Sequence, residues 1–396
     1  MSLLMVLWVL LQIMVGYNLV LPLLMYLAWR LKGANKHALP NEKEDSRGDY
    51  AIIVTAFQQT TMLPAVVKSL LNLDDDNYVV YIVADDCILT EDLMFNDERI
   101  IVLFPPHVLA SNTASHFYAI NNFIRPHDRL TIIDSDNLVQ ADYLNQLNVW
   151  FSKGFHAVQG IRMAKNMDST IACLDAARDI YYHFYDGKLL FNLNSSATLS
   201  GSGMAFTTQL YRDCLENLDI KGAGFDKVLQ ASILNQDLRI AFADQAIVFD
   251  EKTSKSTQLV NQRARWINTW FKYFKFGFEI IAKGLKNGSM NQFLFGLVLL
   301  RPPLFMFILI SGLMMLINMF ISATAFGLWF VAFILFLAGF FIALNHSNAD
   351  PRIYRSLKSI PAFIFLQLKS LLKSKNANQT SIATTHYHNR TNEDLN

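Results

Sequence analysis

The chain has 396 residues, and its 34 basic and 33 acidic side chains leave a formal charge of only +1. That balance, with no basic run interleaved with aromatics before the C-terminal tail, gives no support to a nucleic-acid partner. Cys87, Cys173 and Cys214 are odd in number and lack metal-ligand or disulfide spacing, which excludes a disulfide scaffold and suits a reducing compartment.

The hydrophobic content, 52%, is unevenly spread. Residues 1–29 contain no Asp, Glu, Lys or Arg, and neither do residues 302–349. A helix needs about 20 apolar residues to cross a bilayer. The first stretch therefore predicts one span, and the second predicts two, joined near Ile321-Ser322-Ala323-Thr324. A cleavable signal would have an apolar core of about 7–15 residues preceded by basic ones. Here the run is longer and Arg30, Lys32 and Lys36 follow it, so residues 1–30 read as an uncleaved anchor. Those residues, with Arg352, Arg355 and Lys358 after the last span, predict that both ends of the soluble part and the tail are cytoplasmic. The expectation is a multi-pass protein of the cell (inner) membrane with its N-terminus outside.

Residues 31–49 are polar and read as a linker, and residues 50–257 as one cytoplasmic domain. Within it, short apolar runs alternate with helical patterns. Strands are predicted at 51–56, 79–84, 100–104, 130–133 and 156–162, and helices at 63–71, 116–124 and 142–151. Continuous apolar runs of this length indicate an α/β domain whose sheet is buried on both faces. Residues 258–286 read as an amphipathic interfacial helix, 290–346 as two transmembrane helices, and 347–396 as an interfacial segment (359–372) followed by a poorly ordered tail.

Ligands of such sheets bind beyond the carboxyl ends of the strands. Three runs end in acids or amides: Gln58-Gln59, Asp85-Asp86 and Asp134-Ser135-Asp136. Two carboxylates one residue apart can meet one hard cation, which prefers one or two carboxylates plus phosphates and water. A strand-end turn explains the same triplet without chemistry. Asp85 or Asp86 suits a nucleotide base or ribose, or a turn. Gly201, Ser202 and Gly203 let a sugar approach the backbone, as a tight turn also would. Asp226 precedes a helical stretch at 227–234, either as its N-cap or as a general base. Gln262, Arg263, Arg265 and Trp266 form a Gln-Arg-Ala-Arg-Trp run. Arginine forks suit a diphosphate, and Trp and Arg also suit a membrane surface.

In this order, and with paired spans after Gln262–Trp266, the chain resembles the membrane-bound family 2 glycosyltransferases, which include cellulose, chitin and hyaluronan synthases. The resemblance covers roughly residues 50–345. It implies a GT-A (nucleotide-binding, Rossmann-like) domain, and inversion at the anomeric carbon of a nucleotide-sugar donor, UDP-linked in the first instance. Asp85 and Asp86 would lie at the nucleotide, and Asp134 and Asp136 would hold the diphosphate through Mg²⁺ or Mn²⁺. Asp226 would be the general base. Gln262, Arg263 and Arg265 would close over the diphosphate, with Trp266, Gly201, Ser202 and Gly203 at the acceptor. The acceptor would be a glycan or a lipid-linked one at the bilayer. The chain departs from the family at Gln58-Gln59, at residues 111–115, where a Lys-Ala-Gly-like segment is usual, and at Phe225, which replaces an acid. Two alternatives remain: a processive synthase, favoured by Gln262–Trp266 and opposed by the small number of spans, and a non-catalytic sensor that keeps the fold.

Overall fold

Strands β1 (Tyr50–Phe57), β2 (Tyr78–Asp85), β3 (Ile100–Leu103) and β4 (Arg129–Asp134) form a parallel half-sheet in the order β3-β2-β1-β4. The near-continuous apolar sequences of β1, β2 and β4 are buried along almost their whole length, as a sheet covered on both faces requires, and the edge strand β3 is half-buried. The structure is a computed structural model, and it describes residues 3–32, 47–220, 222–378, 388 and 390–395. Most of the predicted linker, residues 33–46, and much of the predicted tail lie outside the described residues.

The sheet continues as β7-β6-β8-β5, with β5 at Leu138–Val139, β6 at Ala157–Ala164, β7 at Met204–Thr207 and β8 at Ile240–Asp250. β7 runs antiparallel to both β4 and β6, and β8 runs parallel to β6. Two reversals restore the direction. The carboxyl ends of β1, β2, β4, β6 and β8 therefore share one edge, and β7 enters the sheet from that same edge. Gln58, Asp85, Asp134, Lys165, Asp250 and the approach to Met204 are gathered there by topology alone.

Helices α2 (Leu63–Leu71), α3 (Asn112–Asn121) and α4 (Tyr143–Ser152) connect these strands. α3 begins and ends earlier than the predicted 116–124, because the Ser111 side chain accepts the Ala114 N–H and caps a start at Asn112. α5 (Thr170–Tyr182) passes into a π-helical turn (His183–Leu189) and a short α6 (Leu190–Asn192). α7 (Thr208–Leu215) and α8 (Phe225–Asn235) complete the α/β part.

The predicted single helix at 258–286 is two, α9 (Ser256–Tyr273) and α10 (Phe276–Asn287). α10 doubles back on the short apolar α11 (Met290–Leu300) at close range. A Cβ on Gly296 would stand 2.6 Å from Ile281 and 2.8 Å from the Gly277 carbonyl. Among the described residues, three helices are long and apolar enough to cross a membrane: α1 (Leu3–Lys32), α12 (Leu304–Ile321) and α13 (Ala323–His346). The break between the last two falls at Ser322, whose hydroxyl accepts the Ala325 N–H. The three are joined by polar groups: Gln12 Oε1 accepts from Asn318 Nδ2 (2.6 Å) and from Trp329 Nε1 (2.8 Å). After α14 (Pro351–Ser356), α15 (Ile360–Lys373) packs along α9, with Phe363 clustered against Leu259 and Leu174.

Candidate active site

A small pocket of about 130 Å³ lies beyond β1 and β2, lined by Phe57, Asp85, Ser111, Asn112, Gly222 and Arg265 among others. Asp85 is buried, and its two carboxylate oxygens accept the backbone N–H groups of Leu109 (2.9 Å) and Ala110 (2.8 Å). Its observed work is to fix the loop that delivers Ser111 and Asn112 to the pocket wall. Asp86 is exposed, lines neither cavity, and accepts from Gln58 Nε2 at 2.7 Å. Gln58 and Asp86 both have positive φ, 58° and 53°. This left-handed backbone, rare outside glycine, commonly marks functional sites.

The small pocket adjoins a cleft of about 570 Å³, and Thr55, Phe57, Asn112, Ala223 and Arg265 line both. Asp134, Ser135 and Asp136 enter the cleft from the end of β4. Their turn is held at three points. Ser202, fully buried, accepts the Asp134 N–H (3.1 Å) and Asn137 Nδ2 (2.8 Å) through its hydroxyl, and Lys165 Nζ donates to the Asp136 carbonyl (2.7 Å). Ser202 and Gly203 thus lie behind the acids, away from the cleft surface, and Gly201 alone of the three lines it. Gly201 and Gly203 have φ of 91° and 65°, the conformations that bring this segment back under the Asp134 turn before β7.

Among the described residues no three His, Cys, Asp or Glu side chains converge as a ready-made cation cage. Asp134 and Asp136 supply oxygen ligands only. They fit a Mg²⁺- or Mn²⁺-like ion whose remaining positions are taken by phosphates and water.

Asp226 lines the cleft from the first turn of α8. The helix cap is Gly224 in a left-handed conformation (φ 109°), not Asp226, which corrects the N-cap reading. The Asp226 carboxylate meets Lys227 Nζ at 3.0 Å, and Lys227 also donates to the Leu199 carbonyl. Phe225 packs inward on the His116 ring, a centroid distance of 5.0 Å, where an acid would be stranded.

α9 presents Gln262, Arg265 and Trp266 to the cleft. Gln262 Oε1 accepts from the Thr253 hydroxyl at 3.2 Å. Burial lowers the Arg265 guanidinium from its usual range. Arg263 does not line the cleft. It turns into the protein, pairs with Asp175, and lies 3.9 Å from the Trp266 ring centre, with Arg178 over the same ring at 4.4 Å. Burial and the neighbouring Arg178 lower Arg263 to about 10.

Part of the cleft wall is a charge network that sequence reasoning missed, with Arg162, Asp175, Arg178, Asp179 and Asp250 lining the cleft. Lys252 Nζ joins Asp179 and Asp250, and Arg178 joins Asp175 and Asp179. Burial works to lower Arg162, but Asp250, Asp179, Asp134 and Asp175 outweigh it and hold this guanidinium charged. Asp250 and Glu251 had a readable signal, since they follow a short apolar run at 246–249 as Asp134 ends its own. Asp175, Arg178 and Asp179 on α5 had none, because their spacing also describes a solvated helix face.

The solved structure of mannosyltransferase PcManGT from Pyrobaculum calidifontis, in complex with GDP-Man and Mn²⁺, is similar to this one. The TM-score is 0.53, the identity 12%, and the likeness covers 92% of this chain and 97% of that one. S. aureus TarS 1-349 is matched with a TM-score of 0.39 and 15% identity, over 84% of this chain and 90% of that one. Comparison with curated proteins gives no match. The fold is that of a GT-A domain. The model of glycosyltransferase-like family 2 matches residues 47–269, more than half the chain, and the chain belongs to that family.

Proposed function

We propose that this protein is an inverting, divalent-cation-dependent glycosyltransferase that acts at a membrane on a nucleotide-sugar donor. The observation that carries the reading is that one cleft holds the Asp134–Asp136 turn, Asp226 and Arg265, and adjoins a pocket beside Asp85 sized for part of a nucleotide. Gln262 and Trp266 beside them support kinship with the membrane-bound synthases of the family, and the long apolar helices support bilayer insertion.

A cation held by Asp134 and Asp136 would supply charge neutralisation to the departing diphosphate. The chain's own residues do the rest. Arg265 faces both cavities and is placed to bind the diphosphate oxygens between them. Ser202 and Lys165 keep the acidic turn rigid, so that little reorganisation accompanies bond breaking. Asp226 takes the proton from the acceptor hydroxyl as its oxygen attacks the sugar C1 opposite the leaving group.

The test is transfer from a panel of radiolabelled nucleotide sugars, UDP- and GDP-linked, by the full-length protein in detergent. Excess chelator should abolish transfer and Mg²⁺ or Mn²⁺ should restore it. Asp136→Asn should be folded and lower activity by several orders of magnitude. Full activity in excess chelator would sink the cation assignment.

A further inference from the structure

The cleft has a second end. Beyond Asp226 it is walled by Trp270 of α9, Phe274 just after that helix, Leu299 of α11, and Pro302 and Pro303, which lead directly into α12. α12 is one of the helices apolar enough to span a bilayer. Along α9 and α10, Phe271, Phe278 and Leu285 recur at heptad spacing and are 48%, 49% and 68% exposed. The cleft thus runs from the Asp134 turn to the base of a candidate span, beside an exposed apolar stripe.

Two polar atoms at this end are buried and have no partner. Trp270 Nε1 lacks an acceptor, and Asp186 Oδ1 lacks a donor while Arg301 holds the other carboxylate oxygen. Both residues line the cleft, and Asp186 is buried overall. Asp186 sits in the π-helical turn, next to Tyr185, whose hydroxyl donates to the Gly339 carbonyl in α13 at 2.8 Å. Buried polar groups are rarely left unmatched, and a pair of opposite kind on two residues that line one cavity calls for a ligand. A hydroxyl both donates and accepts, so it can match either atom. A phosphate could accept from Trp270, but a deprotonated phosphate has no hydrogen to donate to Asp186 Oδ1.

We propose that this end of the cleft is an acceptor site for an uncharged, hydroxyl-bearing lipid headgroup, a glycerol or a sugar on an acyl lipid, that reaches it from the bilayer. The proposal rests on the transferase reading above. The headgroup oxygen forms the new bond to the sugar C1, and its proton passes to Asp226. The bond from C1 to the diphosphate oxygen breaks, and its electron pair leaves with the nucleoside diphosphate. Asp186 and Trp270 bind the headgroup, and Phe274, Leu299 and the two prolines cover the start of the acyl chains.

The experiment uses full-length protein in phosphatidylcholine nanodiscs with the radiolabelled donor panel. Diacylglycerol, a glycosyl-diacylglycerol, polyprenyl phosphate and a soluble oligosaccharide are offered in turn. Label should enter one of the two uncharged lipids, and which one tells glycerol from sugar as the headgroup. That lipid should be used at least about 100-fold more efficiently than the soluble glycan. Trp270→Phe keeps the ring and loses the N–H. It should raise KM for the lipid about tenfold while the nucleotide-sugar KM moves less than about twofold. Asp186→Asn should act in the same direction. Preference for polyprenyl phosphate or the soluble glycan, or an unchanged lipid KM in Trp270→Phe, overturns the proposal. Donor hydrolysis without any lipid product overturns it and leaves the transferase reading standing. Loss of both donor binding and donor hydrolysis in the wild type removes both.

Discussion

Asp226 and Arg265 line the same cleft, and the proposed mechanism gives them different partners, so their substitutions separate. Asp226→Asn keeps the shape and removes the basicity. Transfer should fall by about 10²–10⁴-fold, the usual worth of a general base, while nucleotide affinity measured by calorimetry stays close to wild type. Arg265→Ala removes charge-assisted hydrogen bonds of about 1.5–3 kcal/mol and should weaken nucleotide diphosphate binding along with turnover. If Asp226→Asn keeps more than about a tenth of wild-type transfer, the base lies elsewhere. His116 tests the fold. Burial drops it to about 3, and its Nδ1 faces the Tyr211 hydroxyl at 2.7 Å. The unfolded value is about 6.5, so between those limits the unfolded chain binds the extra proton and stability rises with pH. The contribution is complete above the unfolded value and drains away as pH falls towards 3. At pH 5 the loss should be about 2 kcal/mol. His183, also lowered to about 3 with burial as the main cause, adds a similar slope. Unfolding midpoints at pH 7 and pH 5 should draw closer together in His116→Gln, which can still bond to Tyr211.

Short turns at the strand ends carry the proposed chemistry, and Ser202 shows how one element braces another. Ser202→Ala leaves the Asp134 N–H and the Asn137 amide buried without their acceptor, at a cost of about 1–3 kcal/mol. Denaturant titration should show that loss, and transfer should fall more steeply than stability, because the acidic turn is no longer pinned. Equal retention of transfer and loss of stability would make Ser202 a folding residue only. The parallel half of the sheet was legible because each strand is an unbroken apolar run and each helix keeps its own stripe. The Ile321-Ser322 break was legible because a polar cap interrupts a charge-free stretch. β7 was not, since Met204–Thr207 is too short to show a period and is a strand only because β4 and β6 flank it. The kink at residues 274–275 was hidden for a different reason: the apolar stripe of α9 and α10 continues across it. Arg263 looked equivalent to Arg265, and only the Asp175 carboxylate, far away in sequence, draws it inward.

The whole molecule joins a water-soluble α/β body to an apolar helical part, and their relation to the bilayer can be read out directly. With Arg30 and Lys32 in the last turn of α1, and Arg352, Arg355 and Lys358 after α13, reporters fused after residue 40 and after residue 396 should both report cytoplasm. An external signal from the first would invert the arrangement. The Gln12 contacts also bear on how the chain is made. Asn318 lies 306 positions and Trp329 317 positions beyond Gln12. At about 5–20 residues per second, the ribosome needs roughly 15–60 s between delivering the first helix and delivering its polar partners. Throughout that interval the Gln12 amide has neither of them, and the entire sheet is synthesised and can close before they arrive. Until then the first helix can meet only the body of the protein, through Tyr26 on Phe184 and Tyr17 on the Leu297 carbonyl, so its bundle contacts close last. A nascent chain stalled before residue 304 would hold a finished α/β domain beside the first helix, without the bundle that α12 and α13 complete.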